Sequence, residues 1–401
     1  MTISERRGGH HGPKIVIFGA GRIGRSFTGQ LFSRSGYDVL FVDIDKPLID
    51  ALNREKHYRV VIRHEAGEEE VVVGPVRGLL LEDHARVAEE LATADIASIS
   101  VGQQGLSALC PVVARALILR RERWNSWPLD VIIAENLRDA DIHLARELRK
   151  YLPENYPIDA LVGLVETSIG KMVPIMTRTA LDADPLQLFA EPYNEMIVDR
   201  KGFRNPIPGV AQLVPVDPIK AWVDRKLFIH NLGHAAAAYL GYLRHPDAIY
   251  MAEVLEGPEI RERTRDTMLQ SAGILMALHP GVFSERQLQE HIDDLLHRFR
   301  NRALGDTVFR VGCDLFRKLG PADRLVAPVR AALDTGQSCD LILEVIRAAL
   351  SFRATDGQGG HLEADLRFFA EAERGLAHVL KEVCRLDLPP DLLPETGTSS
   401  A

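Results

Sequence analysis

Short apolar runs occupy the first half of this chain, and long amphipathic periods occupy the second. Lys14-Ile-Val-Ile-Phe18 is a continuous apolar stretch, the pattern of a strand buried on both faces of a parallel sheet. Asp38-Val-Leu-Phe-Val42, Ile96-Ala-Ser-Ile-Ser-Val101 and Leu129-Asp-Val-Ile-Ile-Ala134 repeat it. Helix-like segments separate these runs: one ends near Ser35-Gly36, one covers 82–93 and one covers 107–121. Such alternation is what an open parallel sheet requires. Residues 58–63 and 69–73 flank the turn residue Gly67 and predict a hairpin inserted between two of the sheet strands. From 151 to 216 the pattern is strand-rich and broken by prolines, with candidate strands at 161–165, 186–189 and 196–198 that would widen the sheet. Beyond Pro218 no clear strand remains. Helical periods fit 219–243, 246–256, 258–278, 285–299, 322–335, 338–351 and 363–384.

The first strand runs straight into Gly19-Ala-Gly21-Arg-Ile-Gly24, then into a helical segment, and the second strand ends on Asp43. A lone GxGxxG is weak, but here strand, turn, helix, strand and terminal acid occur in the order that a dinucleotide site needs. Gly19 would make the tight turn, Gly21 would let the backbone approach a pyrophosphate, and Gly24 would let the helix lie close on the strand. Ala20, Arg22 and Ile23 complete the loop whose backbone faces the phosphates at a helix N-terminus. Asp43 stands where a carboxylate holds ribose hydroxyls. It would also repel a 2′-phosphate, so NAD is expected rather than NADP. The residues just beyond the other strands, Gly102 and Glu135-Asn136, fall where open α/β sheets bind ligands. Asn136 is a candidate donor to nicotinamide or substrate; its alternative is a loop Asn satisfying its own turn. The expected architecture is α/β: a Rossmann-type dinucleotide-binding domain with an extended sheet over 14–217, then a mostly α-helical C-terminal domain over 218–388. A flexible lead (1–13) and a disordered tail (389–401) would flank them.

The densest chemistry lies at Lys226-Leu-Phe-Ile-His-Asn-Leu-Gly-His234, ahead of the apolar run Ala235-Ala-Ala-Ala-Tyr239-Leu. Asp217-Pro218 is a good helix opening upstream, and Pro246 ends the segment. At about 100° per residue, Lys226, His230, Asn231 and His234 fall within an arc of roughly 140° on one α-helical face. That stripe points at a cavity. Lys226 is a candidate general base, since a desolvated lysine can be brought towards neutrality. Asn231 and Asn136 could donate to the oxygen on a reacting carbon, and His234 could hold a neighbouring hydroxyl. Pairing of a solvated Lys226 with Asp224 or a nearby acid is the competing reading. His230 and His234 stand four apart, a spacing that suits a metal, but no third ligand has recognisable spacing and Lys226 would oppose a cation. No metal is therefore expected, and His230 reads equally as a packed helix residue.

Composition adds boundaries. The chain has 401 residues, 46% hydrophobic and 26% charged, with a net charge of −8, which disfavours nucleic acid as a partner. No apolar run reaches the roughly 18 residues of a membrane span. The first residues lack the apolar core of a signal peptide. Cys110, Cys313, Cys339 and Cys384 are dispersed, which suits a reduced, cytoplasmic protein without structural zinc.

Four segments also carry a family resemblance. Asp224-Arg-Lys-Leu-Phe-Ile-His-Asn-Leu-Gly-His-Ala-Ala-Ala-Ala-Tyr-Leu-Gly241 resembles the signature of the polyol-specific long-chain dehydrogenases, the mannitol dehydrogenase family. Phe18-Gly-Ala-Gly-Arg-Ile-Gly-Arg25, Ala134-Glu-Asn136 and Phe316-Arg-Lys-Leu-Gly-Pro-Ala-Asp-Arg324-Leu resemble three more of its segments. The resemblance runs from about residue 14 to 385. It implies a metal-independent NAD-linked oxidoreductase acting on a small sugar or polyol, with mannitol 1-phosphate and fructose 6-phosphate as the expected pair. Lys226 would be the base, Asn136 and Asn231 the oxyanion-stabilising donors, and His234 the substrate-positioning group, with His230 beside it. Arg317 and Arg324 are candidates for gripping a phosphate or distal hydroxyls, against salt bridges within the helical domain. Val101-Gly-Gln-Gln104 and Gly170-Lys171 depart from the family pattern, which has Val-Gly-Pro and Asp-Arg there. A hexuronate reductase, a free-polyol dehydrogenase, a non-catalytic NAD-binding regulator and a zinc hydrolase are the alternatives.

Overall fold

The computed structural model describes residues 12–124, 127–174, 176 and 178–388. The expected lead falls outside these residues apart from its last two positions, and the expected tail does so entirely. The described chain divides into two compact units, with the border in the sequence between Val223 and Asp224.

In the first unit the apolar runs form the centre of an eight-stranded sheet. Its strands are β1 (Lys14–Phe18), β2 (Asp38–Asp43), β5 (Val76–Leu80), β6 (Ile96–Ile99), β7 (Leu129–Ile133), β8 (Val162–Ile169), β10 (Met196–Asp199) and β11 (Leu213–Val216), in the order β11-β10-β8-β7-β6-β1-β2-β5. Pairing is parallel throughout except where β10 meets β8. Both faces are covered: Val16, Leu40 and Ile99 pack into one apolar cluster, and Ile15, Ile17 and Phe41 into another. That two-sided burial is why these strands read as unbroken apolar runs rather than alternating ones. The sheet grows in opposite directions from β1, towards β2 on one side and β6 on the other, so a switch-point crevice opens at their carboxyl ends.

The hairpin is present as β3 (Tyr58–His64) and β4 (Gly67–Val73), antiparallel in register from Tyr58↔Val73 to His64↔Gly67. β9 (Leu188–Ala190) does not widen the main sheet as expected. It joins β3 in parallel and completes a separate three-stranded sheet. Strands β5 and β11 carry weak periodicity and were not expected; sheet neighbours, rather than local pattern, decide them.

The second unit is helical among its described residues, apart from an isolated bridge between Tyr250 and Thr307. Helices Pro258–Leu278 and Glu285–Phe299 begin and end where their periods do. The expected helix over 363–384 is interrupted: Glu363–Glu373 ends before Gly375, whose φ of +93° no regular helix accommodates. The expected helix over 219–243 is also three pieces, α-helical over Ile219–Arg225, π-helical over Lys226–Asn231 and α-helical again over Leu232–Arg244. No helix among the described residues is long and apolar enough to cross a membrane.

Candidate active site

The glycine turn after β1 is the candidate dinucleotide cradle. Gly19 takes φ of +93° and its N–H donates to Val42 O at 2.8 Å, tying the turn to the end of β2. A Cβ on Gly24 would lie 1.9 Å from Gly19 O, so only glycine lets the helix start this close to the strand. A Cβ on Gly21 would meet nothing within 4 Å, so the loop is open here, as the close approach of a pyrophosphate would require. The turn into the helix is again π-helical, over Gly24–Gly29. Asp43 at the end of β2 accepts from Ala20 N at 2.6 Å and from Asp45 N at 3.0 Å, so its carboxylate is aimed across the loop. Arg22 is exposed and Ile23 half-buried on the same turn. Ile44, directly after Asp43, is 82% exposed.

On the other side of the switch point, Glu135 spans the loops after β6 and β7. Its Oε1 accepts from Val101 N at 2.6 Å and Gly102 N at 2.7 Å. Burial pushes the Glu135 carboxyl up, and these two donors hold it back. Glu135 thereby sets the Gly102 turn, where φ is +80°, and anchors the loop that presents the exposed Asn136. Glu166, buried at the neighbouring position of β8, accepts from Asp139 N at 2.8 Å and from Lys220 Nζ at 2.6 Å. Lys171, one of the departures from the family pattern, is buried and donates to Asn194 Oδ1 at 2.6 Å.

In the second unit the chemistry-bearing helix is not the regular one expected. The π-helical turn Lys226–Asn231 begins at the candidate base and ends at the candidate oxyanion donor. Widened turns of this kind are rare in helices and recur at functional sites. Ser271 Oγ, from the helix Pro258–Leu278, donates to Phe228 O at 2.8 Å, satisfying a carbonyl of that turn from outside. Burial lowers the Lys226 pKa to about 8, reinforced by the Arg324 guanidinium and opposed by Asp323. Asp224, the competing partner proposed for Lys226, is buried and lies against His279, whose Nε2 is 2.9 Å from its Oδ2.

His234 stacks on Phe299, with ring centroids 4.4 Å apart and planes within 4°. Its Nε2 lies 3.1 Å from Asp306 Oδ2 in a bent contact. Burial lowers the His234 pKa against the pull of Asp306, while Asp306 itself is held low, against burial, by His234 and Arg310. His230 is buried with its ring 5.5 Å from Phe299, and burial beside Arg298 drives its pKa well below the ordinary value. Burial thus disfavours the charged form of both imidazoles. Among the described residues no group of three or more His, Cys, Asp or Glu side chains is placed to hold a metal ion.

The two arginine candidates differ. Arg324 is mostly buried, bonded to Asp323 Oδ1 at 2.8 Å, and near enough to Lys226 to lower its pKa. Arg317 is half-exposed and paired with both Asp314 and Asp323, the latter at 3.1 Å. Nearby, Lys318 is buried among carbonyls: it donates to Val311 O at 2.5 Å and to Cys313 O, and burial beside Arg324 brings its pKa to about 7.

Residues 13–211 match the Mannitol dehydrogenase Rossmann domain and residues 218–383 the Mannitol dehydrogenase C-terminal domain. A mannitol-1-phosphate 5-dehydrogenase of Halalkalibacterium halodurans is 34% identical over 348 residues, 86% of this chain and 90% of that relative. The enzyme of the same name from Bacillus licheniformis is 33% identical over 377 residues, 92% of this chain and 95% of that relative. In fold, the chain is similar to a substrate-free D-sorbitol dehydrogenase (TM-score 0.75, 19% identity, covering 90% of this chain and 85% of the other). It is also similar to Pseudomonas fluorescens mannitol 2-dehydrogenase, solved with NAD and D-mannitol (TM-score 0.69, 17% identity, 94% and 88% covered). With both domains matched and relatives above 30% identity along most of its length, the chain belongs to the mannitol dehydrogenase family and is a polyol dehydrogenase.

Proposed function

We propose that this enzyme interconverts D-mannitol 1-phosphate and D-fructose 6-phosphate with NAD and without a metal. The observation that carries the reading is Lys226: an amine with a pKa of about 8 at one end of a π-helical turn whose other end is Asn231. An amine poised near neutrality can take a hydroxyl proton and return it, which is what a reversible alcohol oxidation asks of its base. Bound NAD supplies the hydride acceptor, held by the Gly19–Gly24 loop and by Asp43, whose carboxylate disfavours a 2′-phosphate.

Lys226 removes the proton of the reacting hydroxyl during oxidation. Asn231 and Asn136 donate side-chain N–H groups to the oxygen as negative charge develops there. His234 holds a neighbouring hydroxyl, and the neutral His230 packs beside it against Phe299. Arg324, close to Lys226 and mostly buried, is the better placed of the two arginines to meet a phosphate; Arg317 would have to give up its pairing with Asp314 and Asp323. The phosphorylated substrate is supported by the names of the relatives at 33–34% identity. Four free cysteines suit a reducing, cytoplasmic setting.

The test is absorbance at the NADH wavelength with fructose 6-phosphate, fructose, fructuronate and tagaturonate in parallel, alongside Lys226→Ala. Oxidation of NADH with the phosphate alone, lost in the variant, is the expected result. Turnover with an unphosphorylated sugar would move the substrate and keep the mechanism. Full activity in Lys226→Ala would remove the base.

A further inference from the structure

The histidine that faces the substrate in this reading has a buried partner from a distant part of the chain. Asp306 precedes Thr307, the cap of the short helix Val308–Gly312, and both its side chain and that of His234 are about nine-tenths buried. Arg310, one turn further on, bonds to the other carboxylate oxygen of Asp306. Asp306 also accepts Met251 N at its backbone carbonyl (2.9 Å), so the residue is fixed at both ends. Phe299 closes the face of the imidazole by stacking on it. Ring plane and ring edge are thus both constrained.

We infer that Asp306 is the positioning residue for His234, holding the imidazole as its Nε2–H tautomer so that Nδ1 is left to accept a hydrogen bond from a substrate hydroxyl. This rests on the reading of His234 as the substrate-positioning group. A carboxylate has only lone pairs to offer, so the 3.1 Å approach of Asp306 Oδ2, bent as it is, favours hydrogen over a lone pair on the ring nitrogen. A neutral imidazole has one N–H, and placing it on Nε2 makes Nδ1 the acceptor. Towards the substrate, His234 then accepts a hydrogen bond and cannot donate one. The group it recognises must be an O–H beside the reacting carbon, present in both the polyol and the ketose; a carbonyl or ether oxygen at that position offers it nothing.

The experiment is histidine-selective ¹⁵N NMR of the NADH-bound enzyme, with the His234 signals assigned by their loss in His234→Gln, paired with kinetics of Asp306→Asn. The expected wild-type spectrum at neutral pH is the Nε2–H tautomer. In Asp306→Asn the amide can donate to Nε2, so the population moves towards Nδ1–H. Because the variant presents a donor where the substrate needs an acceptor, kcat/KM falls about 10- to 100-fold with NADH affinity unchanged. A substrate analogue lacking the neighbouring hydroxyl should lose most of this difference between wild type and variant. An Nδ1–H tautomer in the wild-type enzyme overturns the inference even if Asp306→Asn does not fold, and so does an unaltered kcat/KM in a folded variant. Full activity in His234→Gln would instead sink the substrate-positioning reading while leaving the tautomer result standing.

Discussion

Lys226 and Asn231 are the first and last residues of a single π-helical turn. The i→i+5 bonding of such a turn draws positions five apart towards one face, whereas a regular α-helix would set them about 140° apart. The proposed base and the proposed oxyanion donor are thereby drawn towards one face by backbone geometry. Ser271, which bonds Phe228 O at 2.8 Å, is the external support of that turn. Replacing Ser271 with Ala deletes this bond and should cost about 0.5–1.5 kcal/mol in urea unfolding. We expect kcat to fall more than KM rises, because alignment of the reacting groups is what is disturbed. A destabilised variant with wild-type kcat would show that the turn holds without Ser271.

The pKa of about 8 at Lys226, set by burial and by Arg324, fixes the direction of the pH dependence. A base acts deprotonated, so kcat/KM for polyol oxidation rises with pH and levels off above about 8. Ketose reduction needs the protonated amine and declines over the same interval. Lys226→Met should remove this limb and lower the rate by about 100- to 10,000-fold. Profiles that stay flat through pH 8 in both directions would exclude Lys226 from proton transfer.

Asp43 joins the two halves of the cofactor cradle through its 2.6 Å contact with Ala20 N. Asp43→Ala deletes that bond and the proposed acceptor for the ribose hydroxyls. A hydrogen bond to a charged group contributes about 1.5–3 kcal/mol, so NADH affinity should drop roughly 10- to 100-fold in a fluorescence titration. The balance between NAD and NADP should shift towards NADP as the repulsion of a 2′-phosphate is lost. Equal affinity in the variant would place the ribose elsewhere.

Glu90 is a stability determinant remote from the chemistry. Burial alone would raise its pKa, but Arg77 and the buried Lys14, whose Nζ donates at 2.7 Å, together hold it at about 2. Since the folded value lies below the ordinary 4.5, the carboxylate stabilises the fold above pH 4.5, and that contribution is lost as the pH falls towards 2. Glu90→Gln should lower stability at pH 7 by about 1–3 kcal/mol and flatten the acid decline between pH 4.5 and 2. Parallel acid-induced melts of the two proteins decide this. An equally steep decline in the variant would assign the acid sensitivity to other carboxylates.

Much of the geometry of the candidate cofactor site was legible in the sequence, because its requirements are local. The positive φ at Gly19, the 1.9 Å clearance that excludes any Cβ at Gly24, and the acid closing β2 are properties of one βαβ segment. Strand identity was readable for the same reason in β1, β2, β6 and β7, where burial on both faces leaves a continuous apolar run. The cluster from Lys226 to His234 was visible as a concentration of chemistry within nine residues.

Its geometry was not visible. Helical periodicity cannot distinguish an α turn from a π turn when flanking α-helices continue on both sides; an outside donor such as Ser271 contributes to that choice. Nor can sequence report desolvation, so the lowered pKa of Lys226, the pairing of Asp224 with His279 and the contrast between Arg317 and Arg324 emerged only from packing. Glu135 and Asp306 act on groups far along the chain, Val101 and Gly102 in one case and His234 in the other. Residue types and local spacing thus determined which groups this protein brings to its chemistry. Tertiary burial decided their protonation and partners, because an electrostatic environment is made by whatever folds against a side chain rather than by its neighbours in sequence.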